Sequence, residues 1–343
     1  MTGGKVAVAL SGGLDSSVAA LFLKSVGYEV MGIHMQLWDS PRSEQQAHQA
    51  EAICHILKIP YYLVDLRQEF KLRVVDYFCR EYQEGRTPNP CVTCNRYIKF
   101  GLLLDKALSF SADYLATGHY ANLEYAEDSY RLYKAADAGK DQSYFLYTLS
   151  QEKLNHIIFP LGEYTKVEVQ QIAKQAGLPT TNKPSQDICF ISRKNYRTFL
   201  QKRFPAKAGE IVDTKGTILG HHQGIATCTI GQRHGLGLAF NEPLYVIRIE
   251  PEYNRVVLGA EKELYSQELH TEKLNWISGK APCQPITVMA RIRYKSKDAS
   301  AMLYPGDNCA DVCFTRPQKA VTPGQAIVFY QGNEVLGGST IAN

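Results

Sequence analysis

The sequence has no stretch of 18 consecutive apolar residues and no basic-then-apolar segment near residue 1. The first absence excludes a transmembrane helix, and the second excludes a secretory signal peptide of the usual kind. Charged residues make up only 21% of the sequence, and the formal net charge is only +4. Such a weak charge permits nucleic-acid binding without requiring it. We therefore expect a cytoplasmic protein with no membrane partner.

The chain has 343 residues, of which 45% are hydrophobic, and it contains nine cysteines. This length suits two or three domains, each with its own core. A disulfide framework is not expected in a reducing compartment. Each cysteine is therefore either buried or chemically active.

The most informative segment is Ser11–Ser16 (SGGLDS). The apolar residues 6–10 (VAVAL) predict a strand before it, and the apolar spacing over 16–24 predicts a helix after it. A loop with two glycines and two serines at such a junction can turn its backbone N–H groups toward an anion. It is not an ordinary P-loop, because the Lys-Ser/Thr ending is missing. We interpret it as a phosphate loop that resembles the loop of ATP pyrophosphatases, with a plain Gly-Gly turn as the simpler alternative.

Strands and helices alternate over residues 1–120, which predicts an α/β fold with a parallel sheet covered by helices on both faces. The further predicted strands are 29–35, 61–66 and 114–117, and the predicted helices are 44–58, 68–82 and 97–108. Ligands of such sheets bind at the carboxyl ends of the strands. Ser11–Ser16, Met35 and Gly118 all lie at such ends, so we expect them to converge on one site.

The second half of the chain has a different pattern. A mostly helical stretch reaches residue 204, and a linker-like run (PAKAG) follows it. Short β-rich runs separated by turns then predict small sheets or a barrel. We predict a catalytic domain over 1–204, a small β-rich domain over 205–270 and a β-barrel domain over 271–343.

Two cysteines lie in the segment 85–95 (GRTPNPCVTCN), where the prolines predict a rigid, exposed loop. A third, Cys189, lies in the segment 185–190 (SQDICF). A cysteine acts as a nucleophile only as the thiolate, so it needs access and a lowered pKa. The side chains that can supply a nearby positive charge are Arg86, Arg96 and Lys99.

These cysteines leave three interpretations open. In the first, Cys189 carries a sulfur atom and a cysteine of the 85–95 segment resolves it. In the second, Cys91, Cys94 and Cys189 hold a metal ion or an iron–sulfur cluster. In the third, the Cys-x-x-Cys pair is a redox pair or incidental.

Taken together, the segments 11–16, 87–95 and 185–191 resemble the tRNA-specific 2-thiouridylase family of PP-loop ATP pyrophosphatases. Further similar motifs run along the whole chain: GHY from Gly118, KDQSYF from Lys140, FPLG from Phe159, GQR from Gly231 and PGQ from Pro323. The resemblance implies a PP-loop ATP pyrophosphatase domain (adenine nucleotide alpha hydrolase-like), then small β-rich domains, the last a β-barrel. It also implies ATP-dependent 2-thiolation of the wobble uridine of tRNA, with Lys, Glu and Gln isoacceptors as substrates.

The resemblance carries roles to matching residues. It implies that ATP is bound by Ala9, Leu10, Ser11, Gly12, Gly13, Leu14, Asp15, Ser16, Met35 and Gly118, with Asp15 also a ligand of Mg²⁺. It implies that the target base meets Asn89, Pro90 and Cys91, and that tRNA meets His119, Lys140, Asp141, Gln142, Arg293, Tyr294 and Gln325. Cys189 would carry the persulfide and Cys94 would be the second catalytic cysteine, closing a transient Cys94–Cys189 disulfide. A cysteine desulfurase or a sulfur-relay protein would supply the sulfur.

The chain departs from the family pattern at Cys91, where an aspartate is usual. A thiol there can act as acid or base, or it can complete a three-cysteine set for a [4Fe–4S] cluster that serves the same reaction. A different class of function is a non-catalytic RNA-binding protein that zinc stabilises at Cys91 and Cys94.

Basic residues also alternate near the end of a predicted strand over 286–293. They are Arg291, Arg293, Lys295 and Lys297, and their spacing predicts one basic strand face that contacts phosphates. The simpler alternative is a solvated strand edge protected by charge. Tyr294 could stack on a base.

Overall fold

The computed structural model describes residues 3–179, 188–191, 196–205, 207–238 and 242–342. Its strands are β1 Lys5–Ala9, β2 Glu29–Gln36, β3 Tyr61–Asp65, β4 Tyr114–Ala116, β5 Asn122–Ala126, β6 Ser129–Tyr133, β7 Ile157–Ile158, β8 Gly209–Asp213, β9 Ile218–His222, β10 Tyr245–Glu250, β11 Arg255–Gly259, β12 Tyr265–Trp276, β13 Ile286–Arg291, β14 Ala299–Pro305, β15 Cys309–Lys319, β16 Ala326–Gln331 and β17 Glu334–Ile341. Its helices are α1 Leu14–Ser25, α2 Pro41–Leu57, α3 Arg67–Phe70, α4 Asp76–Gln83, α5 Pro90–Cys94, α6 Leu104–Ser109, α7 Gln151–Leu154, α8 Lys166–Gln175 and α9 Tyr196–Gln201. Among these helices none is both long and apolar enough to span a membrane.

The first sheet is parallel and has the strand order β3-β2-β1-β4-β7. Its central strand β1 sends Ala7 into one hydrophobic cluster and Val6 and Val8 into the other, so both faces are buried. The strands of a parallel sheet that is buried on both faces have continuous apolar sequences, as residues 6–10 do. Because β2 and β4 flank β1, the carboxyl ends of these three strands lie side by side.

Two helical stretches beyond β3 are longer than their predicted limits, because π-helical turns join their α-helical parts. Lys71–Val75 joins α3 to α4, and Asn95–Leu103 joins α5 to α6. The second stretch begins at Pro90 instead of residue 97. The Asn89 side chain caps it by accepting a hydrogen bond from the Cys91 N–H at 3.2 Å, and a proline in the first turn has no N–H left unpaired.

The remaining strands form two further sheets. The second sheet, β10-β11-β8-β9, has a core of its own around Ile211 and Val256. The third sheet runs β12-β15-β14-β13-β16-β17, and it closes into a six-stranded barrel because β12 also pairs with β17. Leu303 and Phe329 are fully buried in its interior. The predicted fold class, an α/β domain followed by β-rich domains that end in a barrel, is confirmed.

The hairpin β5–β6 was not predicted, and it joins the α/β domain to the barrel. In sequence it lies between β4 and β7 of the first sheet, yet β6 pairs with β17 of the barrel. Its turn residues Glu127 and Asp128 both have positive φ, +51° and +60°, as a two-residue hairpin turn requires. This turn lacks the usual glycine or asparagine, so no turn signal in the sequence marked the hairpin. The domain limits at 204/205 and 270/271 stay predictions.

Candidate active site

The loop between β1 and α1 depends on its glycines and serines. Gly12 has a φ of +72°, and a Cβ atom there would lie 2.5 Å from the carbonyl oxygen of Gln46, so only glycine fits. The Ser11 N–H donates to the Ser16 Oγ at 3.1 Å, and that Oγ donates to the Gly13 carbonyl oxygen at 3.0 Å. These bonds fix the loop to the first turn of α1, whose unpaired N–H groups attract anions.

The other two stretches of the predicted ATP site lie at the same edge of the sheet. A Cβ atom on Gly118 would lie 2.8 Å from the Ser16 nitrogen, so this residue contacts the start of α1 directly. Met35 lies near the end of β2, next to β1. Ala9 and Leu10 are buried, and they can reach a ligand only through their backbone. Leu14 is buried as well.

Asp15 already has two partners. Its Oδ1 accepts a hydrogen bond from the Tyr120 hydroxyl at 2.9 Å, and the same oxygen forms an ion pair with the Lys166 ammonium group. A magnesium ion on Asp15 would have to compete with that ammonium group. The surroundings of Asp15 therefore do not support the predicted metal ligand, and we treat Mg²⁺ as part of the Mg·ATP substrate.

The cysteine segment is less exposed than its prolines suggested. Cys91 and Cys94 lie on the short helix α5, and Cys94 is buried in the hydrophobic core. The prediction of an exposed loop is therefore wrong for Cys94, and Cys91 is only partly exposed.

Cys189 is exposed as a residue, and its neighbour Phe190 anchors it. The Phe190 ring lies 5.4 Å from both the Phe78 and the Phe199 rings, centroid to centroid. Residues 185–187 of the SQDICF motif lie outside the described residues.

Both candidate catalytic thiols are held in the protonated form. Burial raises the pKa of Cys94 to about 12, and desolvation by surrounding atoms raises the pKa of Cys189 to about 11. Repulsion from a thiolate at Cys189 or Cys91 would raise the pKa of Cys94 further, and repulsion from one at Cys91 would do the same for Cys189. The three thiols are thus close enough to interact electrostatically. A lowered thiol pKa, which the sequence led us to expect, is not found.

One cation opposes this effect. The Lys99 ammonium group lowers the pKa of both Cys94 and Cys189. Lys99 lies in the π-helical stretch Asn95–Leu103, where hydrogen bonds join residues five apart. It therefore lies about one turn beyond Cys94.

The two arginines that were expected to help have other partners. Arg86 forms ion pairs with Glu81, at 3.0 Å, and with Glu272. The Arg96 guanidinium lies 5.1 Å from the Tyr97 ring. Lys99 is therefore the one of the three expected cations that acts on the thiols.

His119 holds this lysine. Its Nε2 lies 3.3 Å from the Lys99 Nζ and its Nδ1 lies 2.7 Å from the Thr117 Oγ1. Because an ammonium group only donates, Nε2 accepts and Nδ1 carries the ring proton. Burial lowers the pKa of His119 well below its ordinary value, so the ring is neutral. The predicted contact of His119 with tRNA stays a prediction.

The metal interpretations require several donor side chains around one point. Within the ranges that the structure describes, no group of three or more His, Cys, Asp or Glu side chains is arranged to hold a metal ion. Cys91, Cys94 and Cys189 interact electrostatically without forming a ligand set. Neither the iron–sulfur nor the zinc interpretation fits this arrangement.

The predicted tRNA residues of the first domain differ in exposure. Lys140 is exposed. Asp141 is only 4% exposed, and its Oδ1 accepts hydrogen bonds from the N–H groups of two neighbouring residues. The Gln142 Oε1 accepts a hydrogen bond from the Tyr120 N–H at 3.0 Å. Asp141 therefore fixes the backbone at Ala135 and Ser143, Gln142 supports Tyr120, and Lys140 faces solvent.

The predicted basic strand face is wrong. Strand β13 ends at Arg291, whose Nε donates to Asp298 at 2.5 Å, and a turn follows. Arg293 donates to the Lys319 carbonyl oxygen at 2.8 Å. The Tyr294 ring packs 4.5 Å from the Phe145 ring, centroid to centroid.

The barrel contacts the cysteine segment directly. The Gln325 side chain donates to the Thr87 carbonyl oxygen at 2.8 Å, and the Thr87 N–H donates to the Pro323 carbonyl oxygen at the same distance. A Cβ atom on Gly324 would lie 2.9 Å from the Thr87 nitrogen. Asn89, Pro90 and the cysteines therefore follow a junction between the barrel and the α/β domain.

Sequence reasoning missed Tyr120 and Lys166 as neighbours of Asp15. Lys166 follows the FPLG motif, and Tyr120 ends the GHY motif, so both lay within reach of segments already noted. No local pattern could pair Lys166 with Asp15, because 151 positions separate them.

Comparisons with known proteins cover almost the whole chain. Family models match consecutive segments: the tRNA methyl transferase HUP domain over 4–193, the tRNA methyl transferase PRC-barrel domain over 197–260 and the Aminomethyltransferase beta-barrel domain over 266–341. The solved structure of the U34-tRNA thiolase NcsA from Methanococcus maripaludis with its [4Fe–4S] cluster is 22% identical, with a TM-score of 0.38, and the similarity covers 59% of this chain and 66% of that one. A similarity this low carries no argument about function.

Two further relatives are much more similar in sequence than this solved structure. The tRNA-specific 2-thiouridylase MnmA of Carboxydothermus hydrogenoformans is 47% identical, over 98% of this chain and 97% of the relative. The protein of the same name from Acetivibrio thermocellus is 46% identical, over 98% of this chain and 99% of the relative. The chain belongs to the tRNA-specific 2-thiouridylase family.

Proposed function

We propose that this protein is a tRNA-uridine 2-sulfurtransferase, which uses ATP to replace the C2 oxygen of the wobble uridine by sulfur. Membership of the 2-thiouridylase family supports the reaction class. The observation that carries the proposal is that one α/β domain holds both a phosphate loop and two interacting thiols, Cys94 and Cys189. The proposed substrates are the Lys, Glu and Gln tRNAs, and a cysteine desulfurase or a sulfur-relay protein would supply the sulfur.

The first step activates the base. The uridine C2 oxygen attacks the α-phosphorus of ATP, the bond to the β-phosphate breaks, and pyrophosphate leaves. The N–H groups of the Ser11–Ser16 loop and of the first turn of α1 would bind the phosphates that leave. Gly118, which has no side chain, lets its segment pack directly against the start of α1, beside this anion site. Mg²⁺ would arrive with the nucleotide and neutralise phosphate charge.

The second step transfers sulfur. The terminal sulfur of a Cys189 persulfide attacks the activated C2 carbon, and Cys94 then attacks the Cys189 Sγ. The persulfide S–S bond breaks, its terminal sulfur stays on C2 as the C=S group, and AMP leaves. The protein is left with a Cys94–Cys189 disulfide, and an external dithiol reductant restores both thiols. In the described part of the chain the cysteines are all reduced.

The raised pKa values determine how these thiols can react. A protonated thiol attacks poorly, so Cys94 must lose its proton before the resolving step. The Lys99 ammonium group, held by His119, favours the thiolate of Cys94 and Cys189. Cys91, which is close enough to interact electrostatically with both thiols, is our candidate for the acid or base.

The tRNA contacts follow from the same scheme. The target base must leave the helical stack to reach the thiols, and we propose that Asn89, Pro90 and Cys91 meet it. His119, Lys140, Arg293, Tyr294 and Gln325 remain our proposed contacts with tRNA, as do Asp141 and Gln142. The contact of the barrel with Thr87 supports a tRNA site that both domains line.

Nucleoside mass spectrometry tests this proposal. Unmodified tRNA with a wobble uridine is incubated anaerobically with metal-stripped protein, Mg·ATP, a cysteine desulfurase and cysteine, and we expect 2-thiouridine. Thiolation that appears only after an iron–sulfur cluster is rebuilt would keep the reaction and overturn the persulfide route. No thiolation under either condition, or a methylated uridine instead, would overturn the proposed function.

A further inference from the structure

The phosphate loop contains no cation. Asp15 is the only charged residue in Ser11–Ser16, and its charge is negative. The triphosphate of ATP is strongly anionic, and the ordinary P-loop meets it with a lysine of its own. A site of this kind therefore needs a positive side chain from elsewhere in the fold.

The structure brings Lys166 to this position. Lys166 is the first residue of α8, and its ammonium group pairs with Asp15 beside the start of α1. A capping box formed by Thr165 and Glu168 fixes the backbone there, and the Lys166 N–H donates to Asp137 at 2.9 Å. These bonds hold the backbone that carries the lysine in place.

The ion pair remains accessible to a ligand. The Lys166 side chain is 26% exposed and the Asp15 side chain is 33% exposed. A partly exposed ion pair adds little to stability, so stability alone is a weak reason to bring these two residues together. Two of the three ammonium protons stay available for further acceptors, because the pair with Asp15 uses one.

We propose that Lys166 is a phosphate-binding residue of the ATP site, a role that rests on the proposed function. Asp15, which also accepts a hydrogen bond from Tyr120, holds this ammonium group next to the loop, where it binds the β- and γ-phosphates of ATP and the pyrophosphate product. Lys166 thus does from α8 what the lysine of an ordinary P-loop does from within the loop.

Calorimetric titration of the full-length protein tests this role. The variants are Lys166→Ala and Lys166→Arg, and Lys174→Ala on the exposed face of the same helix is the matched control. The probes are Mg·ATP, Mg·pyrophosphate and AMP. We expect Lys166→Ala to weaken Mg·ATP and pyrophosphate about 10- to 100-fold, as loss of a charge-assisted hydrogen bond does, and to leave AMP unchanged. Lys166→Arg should restore most of the affinity, and Lys174→Ala should match the wild type.

A second variant separates direct binding from simple neutralisation of Asp15. If Lys166 only shields Asp15, the double variant Asp15→Asn/Lys166→Ala will bind pyrophosphate as the wild type does, and the proposal is overturned. We expect the double variant to stay at least about tenfold weaker. Lys166→Met, which keeps most of the aliphatic stem, replaces the alanine variant if that variant does not fold.

The outcomes distinguish this role from the function on which it rests. A wild-type protein that binds neither Mg·ATP nor pyrophosphate overturns the proposed function and this role together. A wild type that binds both, with Lys166→Ala unchanged or with AMP weakened equally, overturns only the role of Lys166.

Discussion

The two halves of the site are built in opposite ways. The phosphate region, Ser11–Ser16 with Gly118, uses mainly backbone atoms of one short segment, and Ser11 is exposed. The thiol region, Cys91, Cys94 and Cys189, uses side chains from segments far apart in sequence, and Cys94 is buried. The first region is poised to bind an anion as it stands. The second holds its thiols in the unreactive, protonated form.

The thiol region must therefore obtain its reactivity in another way than the phosphate region does. Backbone N–H groups need no activation to bind phosphate. A buried thiol needs a base or a nearby cation before it can attack. The substrate complex or the Lys99–His119 pair must therefore supply the activation in the thiol region.

Replacing either Cys94 or Cys189 should separate the functions of the two regions completely. Cys189→Ser or Cys94→Ser should reduce 2-thiouridine formation by roughly a thousandfold or more, because each removes a sulfur atom that reacts in the proposed mechanism. Mg·ATP binding should stay unchanged in both. Nucleoside mass spectrometry and calorimetry measure the two quantities. Cys283→Ser, at an exposed turn, is the control and should keep full activity.

The next effect concerns the phosphate region. Gly12→Ala forces a Cβ atom against the Gln46 carbonyl at a left-handed φ, so we expect it to lower ATP affinity at least about tenfold. Gly27→Ala is the matched control, because its φ is +93° and nothing lies within 4 Å of the added Cβ. The control should lose only the left-handed strain, about 1–2 kcal/mol of unfolding free energy, and keep its ATP affinity. Equal ATP affinity in both variants would show that the close approach of Gly12 to Gln46 does not shape the phosphate site.

The same contrast explains what the sequence could predict. The phosphate region was predictable because one motif between a strand and a helix determines a local backbone geometry. The alternation of strands and helices also predicted that the carboxyl ends of β1, β2 and β4 meet at one edge of the sheet. The neighbours Lys166 and Tyr120 did not, because only tertiary packing brings them to Asp15.

The thiol region was harder to predict. The prolines of TPNPC suggested an exposed loop, whereas Pro90 begins a helix that Asn89 caps. An asparagine followed by a proline is typical of a helix start, but we interpreted Pro88 and Pro90 together as marks of a loop. The burial of Cys94 depends on contacts with residues far away in sequence, which periodicity cannot reveal.

A smaller effect sharpens the account of the thiols. Because the pKa of Cys189 is about 11, its alkylation rate should rise about tenfold per pH unit from pH 7 to 10. Lys99→Met removes the cation that lowers this pKa, so the pKa rises and the rate at pH 9 should fall about threefold to tenfold. Peptide mass spectrometry after timed iodoacetamide treatment measures both. Lys106→Met is the control, and an equal fall in that variant would remove the special role of Lys99.

The smallest effect concerns the junction of the barrel with the cysteine segment. Gln325→Ala removes the hydrogen bond to the Thr87 carbonyl oxygen and should cost about 1 kcal/mol of unfolding free energy. Chemical denaturation measures this cost. Gln318→Ala is the control, because its side chain donates to the Arg316 carbonyl oxygen within its own strand. A cost no greater than that of the control would mean that water replaces the bond at this junction.

In the proposed reaction the phosphate region activates the base, and the thiol region then replaces its oxygen. Transfer of an α-phosphate label from ATP to tRNA tests it most directly. We expect Cys189→Ser, supplied with labelled Mg·ATP and unmodified tRNA, to accumulate labelled tRNA, and Gly12→Ala to form little of it. If Cys189→Ser transfers no label while it still binds ATP and tRNA, the two regions do not act in separate steps and the account is contradicted.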